Sequence, residues 1–179
     1  MATLNINTSC VLLIDMQTGL LPAIADQHTL ISNATKLVTA AKALKVPVLA
    51  TEHWVDKIGP THANLTPFID KVFHKTFFDA TLEPGFEAFM PAECKRILII
   101  GTEAHVCVLQ TGLGLMRLGY EPVLVTDCIG SRTTKNLNGA IYRWQHYGLE
   151  PITYEMAIFE WLQNPAHSQF RNILKLIKH

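Results

Sequence analysis

Several features are missing from this sequence, and each absence removes a class of function. Neither charge is in excess: 15 Lys and Arg stand against 15 Asp and Glu, a formal net charge of zero. Proteins that grip a phosphate backbone do so through clustered cations, so the composition gives nucleic-acid binding no electrostatic support. Charged residues are scarce altogether, at 17% against 49% hydrophobic. That balance suits extensive burial, or a surface covered by self-association. No apolar run approaches the roughly 20 residues that a membrane-spanning helix requires. The opening residues MATLNINTSC lack the basic-then-apolar order of a secretory signal.

Paired cysteines are missing too. The four thiols, at positions 10, 94, 107 and 128, form no CxxC unit. They read as free thiols in a reducing compartment, and with the signal-free opening they place the protein in the cytoplasm. His53, His62, His74 and His105 fall into no HxH or HExxH spacing, so no metal ligand set is specified. There is neither a GxGxxG turn nor a Gly-Lys-Ser/Thr loop, which leaves a nucleotide without a phosphate cradle. The reading expects no cofactor, no metal, no nucleic acid and no membrane.

What the chain does have is an alternation of short apolar runs with longer periodic segments. CVLLID (10–15), VPVLATE (46–52), KVFHK (71–75), RILIIG (96–101), YEPVLVTD (120–127) and LEPITY (149–154) read as strands. RILIIG is apolar throughout, as a parallel strand covered on both faces must be. Helical spacing runs from Thr29 to Lys45, from Pro84 to Met90, over 105–118 up to Gly119, and from about Thr134 to Tyr147 before Gly148. Two further helices are read at MAIFEWL and PAHSQFRNILKLIKH. This order predicts one domain over residues 1–179, an open parallel α/β sheet with right-handed crossovers.

In such sheets ligands collect beyond the carboxyl ends of the strands. Standing there are Asp15-Met16-Gln17, Glu52-His53-Trp54, His74-Lys75, Thr102-Glu103 leading to Cys107, and Asp127-Cys128. Cys107 follows a strand and a glycine, at the start of a helix whose first N–H groups and dipole favour a thiolate. Asp15 would then be a base within reach of the sulfur, and Lys75 a cation favouring both anions. Taken singly, Cys107 reads equally as a small core residue, Asp15 as a turn cap, and Lys75 as a solvated edge residue. Their meeting at one sheet edge is what makes chemistry the sharper reading.

VLLIDMQTGLL, TEHWVDKIGPT, FHKTFFDA and GTEAHVCVLQTGLGLMRLGYEPVLVTD together resemble the isochorismatase-like (cysteine hydrolase) superfamily, and in particular its small members of uncertain substrate. The resemblance covers essentially the whole chain. It implies a Rossmann-like three-layer αβα fold with a mainly parallel six-stranded sheet, and a homo-oligomer. It also implies an Asp-Lys-Cys triad at Asp15, Lys75 and Cys107, a non-proline cis peptide at Thr102–Glu103, and an oxyanion hole from the Glu103 and Cys107 amides. Where the family often carries a hydroxyl residue, this chain has Ala104.

The nicotinamidase metal pattern Asp-x-His is absent from ATEHWVDKIGPTHANL. Isochorismatases proper do not use a cysteine nucleophile, so Cys107 points to C–N hydrolysis. Gln17, Leu20, His53, Trp54, Phe77 and Phe78 would line an apolar, aromatic cavity for a small neutral amide. The competing reading is a triad-bearing scaffold or protein-binding module without efficient turnover.

Overall fold

The computed structural model describes residues 3–178. Among them the chain forms β1 (Ser9–Ile14), α1 (Gln27–Ala43), β2 (Val48–His53), α2 (Val55–Ile58), β3 (Lys71–Lys75), α3 (Phe86–Phe89) and β4 (Arg96–Thr102). It continues through a π-helical turn (Ala104–Val108), α4 (Leu109–Arg117), β5 (Glu121–Gly130), α5 (Thr134–His146), β6 (Glu150–Ile152), α6 (Tyr154–Leu162) and α7 (Phe170–Ile177). The six strands form one sheet in the order β3-β2-β1-β4-β5-β6, and every pairing is parallel. This is the expected Rossmann-like α/β arrangement.

Alternation along the central strands builds two apolar layers. From β1, Val11 and Leu13 join α1, α6 and α7 on one face, while Cys10, Leu12 and Ile14 join α4 and α5 on the other. From β4, Leu98 and Ile100 take the first face and Ile97 and Ile99 the second. Successive side chains of a strand point to opposite faces, so an uninterrupted apolar run is what a sheet covered on both sides demands. Each fully buried Leu or Ile contributes about 2 kcal/mol by removal from water. Trp161 anchors the first layer and Trp144 the second. The Trp144 ring packs so closely on α4 that a Cβ at Gly112 would lie 2.2 Å from it.

Several element boundaries differ from the sequence reading, each for a local reason. The segment expected as one helix over 105–118 opens with the π turn, because the N–H groups of Val106 and Val108 both donate to the Glu103 carbonyl. The fifth strand runs on to Gly130 instead of ending at Asp127, after a register shift against β4 between Ile99 and Gly101. Asp127 and Cys128 therefore lie within the sheet and not beyond its edge: Asp127 accepts the Tyr154 N–H and Cys128 is core.

Strand β6 is only three residues long, since Thr153 caps α6 by accepting the Met156 N–H. The last helix begins at Phe170 instead of Pro165. Asn164 turns the chain there, its side chain accepting the Ala166 N–H. The end expected for that helix, His179, lies outside the described residues.

Candidate active site

Strand order reverses between β1 and β4, and the crevice beyond the carboxyl ends of these two strands is where ligands bind in open α/β sheets. Asp15 is the first residue past β1. Its backbone is left-handed (φ 48°), a conformation that Asp tolerates better than most residues. Gly101, near the end of β4, lets the two strands close up at this point. It sits at φ +123°, and a Cβ there would lie 2.0 Å from the Ile14 carbonyl oxygen. No L side chain fits. The next residue, Thr102, donates its hydroxyl to the Asp15 carbonyl at 2.7 Å, and the Asp15 N–H donates to the Thr51 carbonyl at 3.2 Å. The carboxylate is thereby aimed by a backbone pinned from both neighbouring strands.

Both carboxylate oxygens are occupied. Thr51 Oγ1 donates to Oδ1 at 2.6 Å, and Lys75 Nζ donates to Oδ2 at 2.7 Å. The side chains of Asp15 and Lys75 are both 0% exposed. Away from water such a pair persists only when its remaining hydrogen-bonding capacity is met. Lys75 meets part of its own by donating to the Phe77 carbonyl at 3.1 Å. Thr51 is a site residue that the sequence reading missed. The available signal was a lone hydroxyl in the buried run VLATEH, directly opposite Ile14 in register.

The Cys107 thiol lies close enough to Asp15 and Lys75 for both charges to act on it, and Cys107 is 5% exposed. Its acidity departs from what a helix N-terminus suggests. Burial pushes the thiol up to about 12, the Asp15 carboxylate pushes it the same way, and Lys75 pulls against them. Cys107 thus rests as a neutral thiol beside a carboxylate, not as a standing thiolate. The peptide between Thr102 and Glu103 is cis. The Glu103 side chain accepts from Arg132 Nε at 2.8 Å, and His105 Nδ1 stands 3.0 Å from Ser131 Oγ.

Strand alternation sorts the remaining candidates. His53 pairs in register with Lys75, and Glu52 with His74, so the two pairs face opposite sides of the sheet. His53 and Lys75 face the site. Glu52 turns away to accept from the Thr61 N–H and hydroxyl, with His74 Nε2 3.4 Å from its other oxygen. The His53 ring is buried against Phe78, with centroids 5.3 Å apart. Burial and then Lys75 lower its pKa, favouring a neutral imidazole.

Gln17 is placed differently from the cavity-lining role read from sequence. It is fully buried, and its amide is spent on backbone: it donates to the His53 and Gly59 carbonyls and accepts the His53 N–H. It braces the loop that carries His53. Leu20 is half-buried. Trp54, Phe77 and Phe78 are 54%, 47% and 51% exposed, so they rim an open approach to the site and do not line an enclosed cavity within one chain.

No group of three or more His, Cys, Asp or Glu side chains is placed to hold a metal ion among the described residues. No described helix is long and apolar enough to cross a membrane.

Comparison with known proteins gives a consistent outcome. Residues 9–156 match the isochorismatase domain family. The secreted isochorismatase effector Isc1 of Phytophthora sojae is 34% identical over 158 residues, covering 84% of this chain and 75% of that protein. The MAR1 ribonuclease of Caenorhabditis elegans superposes with a TM-score of 0.92 at 26% identity, over 99% of this chain and 93% of that one. The ycaC gene product of Escherichia coli, described as an octameric hydrolase of unknown specificity, shares the fold with a TM-score of 0.87 at 22% identity, over 99% and 97% of the two chains.

Proposed function

The chain belongs to the isochorismatase family, and from that premise we propose that it is a cysteine-dependent hydrolase that cleaves a C–N bond of a small amide through a thioester. The observation that carries the reading is the Asp15 carboxylate, held between Thr51 and Lys75, with the Cys107 thiol close enough to feel its charge. Asp15 takes the thiol proton as sulfur attacks the amide carbonyl. The Glu103 and Cys107 backbone N–H groups receive the developing oxyanion. Collapse breaks the C–N bond, and the amine leaves with the proton held by Asp15. A water then gives its proton to the same carboxylate and attacks the thioester, releasing the acid and restoring the thiol. Lys75 keeps Asp15 in place and offsets negative charge throughout. A thiol pushed up to about 12 makes the base indispensable, because little thiolate stands ready at neutral pH.

His53, Trp54, Leu20, Phe77 and Phe78 form the substrate's surroundings in this reading, with Gln17 bracing them. The exposed aromatic rim suits coverage by further copies of the chain, and the E. coli neighbour is an octamer. We therefore assign this protein to a homo-oligomer acting as one hydrolase unit over residues 1–179, without cofactor, metal, nucleic acid or membrane partner. The free thiols fit a reducing cytoplasm, although the P. sojae relative is a secreted protein; subcellular fractionation checks the assignment.

Incubation with pooled small amides followed by intact-mass measurement tests the chemistry. An acyl adduct mapping to Cys107, absent from Cys107→Ala, is expected and would name the acyl group. Because the C. elegans neighbour is a ribonuclease by description, single-stranded RNA forms a second arm. Cleavage of RNA that survives Cys107→Ala, with no amide adduct, overturns the proposal.

A further inference from the structure

Lys75 is enclosed, yet the segment that follows it runs along the surface. Lys75 closes β3, and its side chain is 0% exposed, whereas Phe77 and Phe78 are about half exposed. Residues 76–79 belong to no strand or helix, and the pairing of β3 with β2 stops at Lys75. A chain that covers a buried ammonium and at once reaches solvent needs support from elsewhere.

Glu83 supplies that support. Its Oε2 accepts the Thr76 N–H at 2.7 Å, the Thr76 hydroxyl at 3.2 Å and the Phe77 N–H at 3.4 Å. Bonds to an ionised acceptor are the stronger kind, and consecutive N–H groups converging on one anion fix the backbone between them. Glu83 is itself anchored: its N–H donates to the Ala80 carbonyl and its carbonyl accepts the Phe86 N–H, both at 3.2 Å. The Thr76 N–H above all holds its carboxyl below the usual carboxylate range.

The bend shaped in this way serves the site twice. It turns the Phe77 carbonyl onto Lys75 Nζ at 3.1 Å, the ammonium's one acceptor besides Asp15 among the described residues. It also lays the Phe78 ring against His53. Its far end is tied to α4 by Thr111, which is 0% exposed. The Thr111 hydroxyl accepts the Ala80 N–H at 3.1 Å and donates to the Phe78 carbonyl at 3.4 Å. The bend is thus a strut from the strand of Lys75 to the helix that continues from Cys107, pinned by Glu83 and by Thr111.

We propose that Glu83 is a positioning residue acting through Lys75: by holding the 76–78 bend it keeps the Phe77 carbonyl on the ammonium and the ammonium beside Asp15. The inference rests on the place of Lys75 in the proposed hydrolase machinery. Without Glu83, three donors lose their acceptor, the bend lifts and water reaches Nζ. A charge pair opened to water loses most of its mutual attraction, and Asp15 is then no longer held in one direction.

Lysine labelling of the full chain tests this without a substrate. The native protein is exposed briefly to N-hydroxysuccinimide acetate, and peptide mapping gives the acetylation rate of Lys75 relative to Lys71, an exposed residue of the same strand. Glu83→Ala is expected to raise the Lys75 rate about 10-fold or more by local opening, with Lys71 unchanged. Glu83→Gln keeps an acceptor oxygen without the charge and is expected to recover most of the protection. If Glu83→Ala does not fold, Glu83→Asp, one methylene short of the bend, serves with the same expected rise. Ile173→Val, a core truncation in α7, controls for general loosening and is expected to leave the Lys75 rate as it was. On an amide that forms a Cys107 adduct, kcat is expected to fall about 10-fold in Glu83→Ala and to recover in Glu83→Gln. Unchanged Lys75 labelling, an equal rise in Ile173→Val, no recovery in Glu83→Gln, or an unchanged kcat overturns the proposal. The labelling result is independent of whether any amide reacts with Cys107, so failure here and failure of the hydrolase reading are distinguishable.

Discussion

Thr51 holds Asp15 from the strand beside it: the threonine hydroxyl donates to one carboxylate oxygen at 2.6 Å and leaves the other to Lys75. The bond sets the direction of the carboxylate and so the approach of its free lone pairs to the Cys107 thiol. Thr51→Val removes the donor at nearly constant shape. A hydrogen bond to a charged group is worth about 1.5–3 kcal/mol, so kcat/KM is expected to fall about 10- to 100-fold, with Thr51→Ser recovering most of it. Steady-state kinetics of the two variants on the substrate found by adduct screening make the comparison. Equal loss in both would show that Thr51 acts by packing.

Asp15→Asn separates acidity from activity. The carboxylate pushes the Cys107 thiol upward, and Lys75 pulls it down. Without the carboxylate the ammonium acts unopposed, so the thiol becomes more acidic than about 12 while turnover falls about 10²- to 10⁴-fold for want of a base. Iodoacetamide alkylation rates across pH 7–11 report the acidity. An alkylation curve displaced to higher pH would contradict the charge arrangement described above.

Lys75→Met leaves the Asp15 carboxylate buried without its ion. Breaking a buried pair from one side costs about 3–5 kcal/mol, and Lys75 and Asp15 are both fully enclosed. A large drop in the urea midpoint is expected, with Asp15→Asn/Lys75→Met recovering part of it. A double variant less stable than either single would sink the interpretation.

Alkaline stability follows from Cys107. An unfolded thiol titrates near its ordinary value of about 8.5, whereas the folded one holds its proton up to about 12. Above the unfolded value the unfolded chain binds fewer protons, so stability is full below it and declines as pH rises towards the folded value. Denaturation midpoints at pH 8, 9.5 and 11 are expected to fall more steeply for the natural chain than for Cys107→Ala. Parallel slopes would count against a raised thiol.

Gly101→Ala meets the Ile14 carbonyl and a φ that side chains rarely adopt. The expected loss is about 3 kcal/mol or more, since both backbone strain and overpacking apply. Activity in any folded fraction should fall as well, because the strand approach that lets Thr102 hold Asp15 is disturbed. Thermal unfolding and activity per folded molecule are the readouts.

The sequence by itself determined the layers of this protein. Runs such as Val11–Ile14 and Ile97–Ile100 are apolar at every position, and a strand buried on both faces needs nothing beyond that local fact. It also brought Asp15, Lys75 and the Cys107 segment to one edge, since each lies at or just past the carboxyl end of a strand of the same parallel sheet. Three things depended on tertiary structure. Which of Glu52 and His53 faces the site was set by the register of β2 against β3. That Gln17 is a backbone brace and Thr51 a carboxylate partner was set by a strand-to-loop approach spanning 36 residues of sequence. That Cys107 is a neutral thiol and not a thiolate was set by enclosure and by a carboxylate brought from the far end of the chain's first strand. Periodicity is a local property and can be read from a string of residues. Register, desolvation and charge proximity arise only when distant segments meet, and they decide what each side chain can do.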